Sequence, residues 1–183
     1  MTTTPDATRG TEILRLDRQI CFSLHAASRA FNGVYRMVLK DLGLTYPQYL
    51  AMLVLWEHGE QPVKAIGTRL RLDSGTLSPL LKRLEAVDLV ERRRSTEDER
   101  SVTVRPTAKG AALRERAALI PHRIAAATGL TLTELGDLQQ RLAELTAKLD
   151  GADLEQAAYD PAAGCEGGPT AGLGGPAGTG IPD

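Results

Sequence analysis

The stretch VKAIGTRLRLDSGTLSPLLKRLE, residues 63–85, reads as two short helices joined by a tight turn at Arg71 to Asp73. That is the layout of a helix-turn-helix. In the second helix Leu77, Leu80, Leu81 and Leu84 recur at helical spacing and define a buried face. The opposite face carries Gly75, Pro79 and Lys82, flanked by Thr76, Ser78 and Arg83. It is small, polar and cationic, which suits entry into a DNA major groove. Asp73 is placed to cap this helix, and its first turn, from Ser74, offers unpaired amides to a phosphate. Pro79 lacks a backbone N–H and predicts a local kink or a weak first turn.

Working outward, the period changes after Val87. Leu89 to Arg94 and Ser101 to Arg105 are short extended runs on either side of STEDER, residues 95–100, and read as a hairpin. A helix-turn-helix (about 63–88) followed by a charged hairpin (about 89–106) makes a winged helix, with Arg94, Asp98 and Arg100 on the wing. A wing arginine can enter a minor groove. Residues 62–110 hold eleven Lys or Arg and seven Asp or Glu, a net charge of +4 in a chain whose total is −1. The balance excludes a uniformly basic coat protein, while the segregation fits a local DNA-binding module. Each of these serines, threonines and arginines taken singly also fits a helix cap or a solvated surface.

On the N-terminal side, Ile13, Leu16, Ile20, Leu24, Ala27, Phe31, Val34, Val38 and Leu42 predict one long helix ending near Gly43. Thr45 and Pro47 restart a helix that runs to about His58. On the C-terminal side, Thr107 caps a predicted helix of about twenty residues. Thr131 or Thr133 caps a last one striped by Leu132, Leu135, Leu138, Leu142, Leu145 and Leu149. The fold class is therefore mainly α with a small β-hairpin, the terminal helices forming a dimerisation region. The middle is too small to cover their apolar stripes, so a homodimer is expected.

Of the 183 residues, 11–158 are assigned to this unit and 1–10 to a loose N-terminus. Residues 159–183 form a Gly/Pro-rich tail. Its last 24 residues contain eight Gly and four Pro and too little apolar area to offset ordering entropy. No apolar run reaches membrane-span length and no signal-type stretch opens the chain, so a soluble, cytoplasmic protein is expected. His58 and His122 are isolated, and no cluster has metal-ligand spacing. No metal or cofactor is expected.

These blocks resemble the MarR family of winged-helix regulators, through Asp98-Glu99-Arg100 followed by Thr107 and Gly110. Pro106 stands where that family usually has Leu. Within the family, LDRQICFSL (16–24), GLTYPQYLAMLVLWE (43–57), LDSGTLSPLLKRLE (72–85) and DERSV (98–102) are similar to the OhrR-type sensors of organic hydroperoxides. The resemblance covers about residues 13–122. It implies a dimeric repressor that releases a palindromic operator in double-stranded DNA when an N-terminal cysteine, here Cys21, is oxidised. It also implies that tyrosines of the partner subunit tune that thiol. Tyr35 and Tyr46 match two such positions, and His25 replaces a third.

The residues themselves leave the thiol open. A sensing cysteine must be partly thiolate. Cys21 on the apolar side of a long helix ordinarily reads as a buried, inert thiol. Against that, His25 one turn on faces the same side and can donate to sulfur, and Tyr46 opens a helix whose positive end favours an anion. Tyr35 lies about 21 Å along the helix from Cys21, so any contact between them crosses a dimer interface. Tyr49 and Trp56 read as core or interface aromatics, and with Phe22, Phe31, Met52 and Leu53 they would line an apolar pocket for bulky peroxides. Cys165, in the tail, is either a resolving thiol for oxidised Cys21 or a bystander to capping by a low-molecular-weight thiol. Two other functions compete. One is a MarR-type repressor released by a small aromatic ligand, with Cys21 structural. The other is a thiol peroxidase, which leaves the DNA-reading module unexplained, so the chain is read as not an enzyme.

Overall fold

The computed structural model describes residues 12–94 and 101–152. It divides into two compact units after Leu135.

In the first unit a 3₁₀ turn at Leu16–Arg18 precedes helix α1 (Ile20–Val38). The single long helix expected from Ile13 is thus broken at Gln19, whose extended backbone accepts the first-turn amides of Phe22 and Ser23. A second 3₁₀ turn, Lys40–Leu42, ends at Gly43 in the left-handed region (φ 66°). Helix α2 (Tyr46–His58) starts from Thr45, as expected. The Gln48 side-chain oxygen accepts from the Thr45 backbone N–H at 2.9 Å and from its hydroxyl at 3.0 Å. Tyr49, Ala51, Met52, Val54 and Leu55 of α2 are buried, and α2 packs against α1, the two helices of residues 63–86, the strand of residues 102–106 and the helix that follows it.

Strand β1 (Gln61–Pro62) leads into α3 (Val63–Leu70) and α4 (Ser74–Ala86). The hairpin is β2 (Val90–Arg94) and β3 (Val102–Pro106), with Arg92 opposite Val104. The sheet order is β1-β3-β2, all antiparallel. Two residues of β1, flanked by helix, carry no period to read, so this third strand was not expected from sequence. The buried leucines Leu77, Leu80, Leu81 and Leu84 of α4 meet Leu39, Met52, Leu55, Ile66, Val90 and Val104 in one core. Burying a leucine side chain stabilises by roughly 1.5–3 kcal/mol, so this face holds α4 firmly.

The helix after Thr107 is two helices, α5 (Ala108–Ala117) and α6 (Ile120–Thr128). Pro121 lies in the first turn of α6, where its missing N–H costs nothing, and that position favours a fresh start over a continuous twenty-residue helix. A Cβ at Gly110 would run into the Leu89 backbone carbonyl, so only glycine lets α5 approach the hairpin this closely. Helix α7 (Leu132–Asp150) begins in the first unit and continues into the second. Thr131 and Glu134 form its capping box, with Oε2 of Glu134 accepting at 2.8 Å and 2.7 Å. Leu138, Leu142 and Leu149 are exposed on the single chain. Among the described residues no helix is long and apolar enough to cross a membrane.

Candidate DNA-reading surface and thiol

The turn between α3 and α4 is built by the backbone. Arg71 adopts a left-handed conformation (φ 53°), and the Leu72 N–H donates to the Gly67 carbonyl at 2.9 Å. A Cβ at Gly67 would sit 2.9 Å from the Leu72 carbonyl oxygen, so the close turn needs a glycine there. Asp73 then caps α4 as expected. Its carboxylate accepts from the Thr76 amide at 2.9 Å and the Thr76 hydroxyl at 2.8 Å. Those bonds hold the Asp73 carboxyl below its usual range. Thr76 is therefore committed to the cap.

With the leucines inward, Ser74, Gly75, Thr76, Pro79, Lys82 and Arg83 are exposed on the outer face of α4 and Ser78 is half-buried. The helix runs unbroken through Pro79, and the carbonyl that the ring would crowd belongs to Gly75, one turn earlier. Arg94 is exposed at the outer end of β2. Asp98 and Arg100 lie outside the described residues.

Between α3, α4 and the hairpin lies a cleft of about 770 Å³, lined among others by Lys64, Thr68, Arg71, Ser74, Ser78, Arg92 and Ser101. Its hydroxyls and cations are mixed with the apolar side chains of Val63, Leu72, Leu77 and Val102 and with the Asp73 carboxylate. Lys64, Thr68 and Ser101 were not singled out from sequence, because only the tertiary packing of α3 against the wing brings them to the same cleft. Within the hairpin, Glu91 pairs with Arg105 and, at 2.9 Å, with Arg93.

Cys21 is the second residue of α1 and is exposed on the single chain. The mid-helix position expected from the long-helix reading does not hold, because α1 starts only one residue before Cys21. Cys21 sits instead in the first helical turn, near the positive end of the helix dipole, where an anion is favoured. Sequence gave no sign of this, since the apolar spacing carries on through the break. His25 is also exposed, and among the described residues none hydrogen-bonds the Cys21 sulfur.

Tyr35 and Tyr46 do come together. Their ring centroids are 4.3 Å apart, and Tyr49 stands 6.0 Å from Tyr35. Burial pushes the Tyr35 phenol up to about 12, with smaller contributions from Tyr46 and Tyr49, and burial raises the other two. Among the described residues none hydrogen-bonds these three hydroxyls. Cys21 and Tyr35 share the unbroken helix α1, about 21 Å apart along its axis, so one chain does not join thiol and tyrosines. The residues expected to line a peroxide pocket are split. Tyr49 and Met52 belong to the core, whereas Phe22, Phe31 and Leu53 are exposed. Cys165 lies outside the described residues.

Comparison with known proteins places this arrangement. A family model described as transcriptional regulator SarA/Rot matches residues 33–116. The HTH-type transcriptional regulator TtmR of Methylorubrum extorquens is 49% identical over 134 residues, covering 73% of this chain and 69% of TtmR. The organic hydroperoxide resistance transcriptional regulator of Bacillus subtilis is 49% identical over 127 residues, covering 69% of this chain and 84% of that protein. A structure of reduced AbfR bound to DNA, a protein known from Staphylococcus epidermidis, shares 37% identity. The match covers 76% of this chain and 95% of that one, with a TM-score of 0.66. The chain belongs to the winged-helix transcriptional regulators of MarR and SarA type.

Proposed function

We propose that the protein is a homodimeric repressor that reads a palindromic operator and releases it when an organic hydroperoxide oxidises Cys21. The observation that carries this reading is an exposed cysteine in the first turn of α1 of a winged-helix regulator. Helix α4 enters a major groove with Ser74, Ser78, Lys82 and Arg83 outermost, and the wing, with Arg94, Asp98 and Arg100, reaches the adjacent minor groove. Two-fold symmetry of the dimer requires two such half-sites. The exposed apolar residues of α1 and α7 are the surface a second copy would cover.

In the redox step the Cys21 thiolate attacks the terminal oxygen of the hydroperoxide. The O–O bond breaks, hydroxyl is transferred to sulfur as a sulfenic acid, and the departing alkoxide takes a proton from solvent to become the alcohol. The sulfenic acid then condenses with a thiol, either a low-molecular-weight thiol or Cys165, releasing water. In the dimer, antiparallel first helices would bring Tyr35 and Tyr46 of one subunit to Cys21 of the other, with His25 beside it. Oxidation there would shift one subunit against the other and change the spacing of the two reading helices. Support comes from the Bacillus relative, a regulator of organic hydroperoxide resistance, and from AbfR, whose solved forms include reduced and overoxidised protein on DNA and a disulfide form.

TtmR is equally similar, and its name carries no peroxide. That observation keeps a second reading alongside the first, in which a small aromatic ligand releases the operator and Cys21 is structural. Fluorescence anisotropy on an operator duplex, for wild type and Cys21→Ser with and without cumene hydroperoxide, separates them. Release by wild type alone supports the sensor. Binding by both with release by neither favours the ligand-controlled regulator.

A further inference from the structure

We infer that Glu85 is a positioning residue for DNA reading, fixing the wing strand to the reading helix and holding the Arg92 guanidinium in the cleft between them. This rests on the DNA-binding reading above. Glu85 lies in the last turn of α4, and its carboxylate makes two bonds to one residue of β2. Oε1 accepts the Arg92 backbone N–H at 3.3 Å and Oε2 accepts the Arg92 Nε–H at 2.8 Å. Strand β2 is the open edge of the sheet, so that N–H points away from β3 and would otherwise have only solvent. The first bond fixes the position of the strand and the second fixes the direction of the arginine. Both side chains are about two-thirds covered, at 28% and 37% exposure, which screens the pair less than a surface one.

The connection from α4 to β2 is pinned around the same point. Asp88 takes a left-handed conformation (φ 59°), the Leu89 N–H donates to the Leu84 carbonyl at 3.0 Å, and Lys109 donates to the Val87 carbonyl at 2.7 Å. A carboxylate this near the proposed DNA surface would by charge alone repel DNA. Paired with Arg92, it sets the separation between the major-groove and minor-groove elements.

The two roles predict opposite signs for Glu85→Gln, which keeps an acceptor for the N–H but cannot hold the guanidinium. Simple repulsion predicts tighter binding to any duplex. Positioning predicts about tenfold weaker binding to a duplex selected by wild type from a random pool, the scale of one lost charged hydrogen bond, with little change on a mixed-sequence duplex. Arg92→Lys should do the same, and Glu85→Gln with Arg92→Lys should lose no more than the worse single variant. A hydroxyl-radical footprint should lose the flanking wing protection and keep the centre. Equal or tighter binding by Glu85→Gln to the selected duplex, or additive losses, overturns the inference. If Glu85→Gln melts well below wild type without DNA, Arg92→Lys and its footprint decide. If wild type selects no sequence, the DNA-reading proposal itself falls, and this one with it.

Discussion

Trp56 donates its indole N–H to the Gly110 carbonyl oxygen at 2.8 Å, tying α2 to α5 across 54 residues of sequence. The same glycine receives the Thr107 cap, its N–H donating to Thr107 Oγ1 at 3.0 Å, while Thr107 Oγ1 donates to the Asp88 carbonyl at 2.7 Å. One residue thus joins the central helix, the start of the wing and the first helix after it. Gly110→Ala is expected to destabilise by at least about 2 kcal/mol, because the added methyl meets backbone and not a movable side chain. Trp56→Phe, which leaves a carbonyl without its donor, should cost about 1–2 kcal/mol. Urea unfolding of both variants checks the ranking, and a wild-type midpoint for Gly110→Ala would refute the close approach.

The Leu81 side chain is fully buried in the core that seats α4. Leu81→Ala is expected to cost about 2–5 kcal/mol and to weaken DNA binding only in proportion to the fraction unfolded. Lys82→Ala and Arg83→Ala should do the reverse. Their melting temperatures stay near wild type, while the slope of log K against log salt falls by about one for each lost phosphate contact. An unchanged slope for both variants would remove the outer face of α4 from the DNA interface.

The cap at Asp73 gives a pH dependence of definite sign. Its folded carboxyl is held below the ordinary value by the Thr76 hydroxyl and then the Thr76 amide. The stabilisation is therefore complete above the unfolded value of about 4 and is lost as pH falls through the lower folded value. Asp73→Ala should melt below wild type at neutral pH, and the gap should close in acid. A gap that is constant down through the acid range would mean that the ionised carboxylate is not what caps α4.

Tyr35 titrates in the opposite sense. Burial favours its neutral phenol, with a value of about 12. This stabilisation is present below the ordinary value of about 10 and is lost as pH rises toward 12. In a spectrophotometric titration of phenolate absorbance, Tyr35→Phe should remove the latest-rising component. Loss of an early component instead would place Tyr35 in solvent.

The reading head was legible in residues 63–85 because its physics is local. Four leucines at helical spacing fix which side of α4 faces inward, and Asp73 marks where the helix starts. The wing followed from the change of period after Val87. The break before Ile20 was not legible, because the apolar spacing runs straight through it and only backbone geometry at Gln19 ends the turn. That break moves Cys21 from the middle of a helix to its first turn. The Tyr35–Tyr46 contact, the Glu85–Arg92 clamp and the cleft that gathers Lys64, Thr68 and Ser101 likewise arise only when separate elements pack. Sequence by itself determined the class of fold and which face of α4 is left outward, through periodicity and charge. Tertiary structure decided which side chains meet, because those contacts depend on where distant segments come to rest against one another.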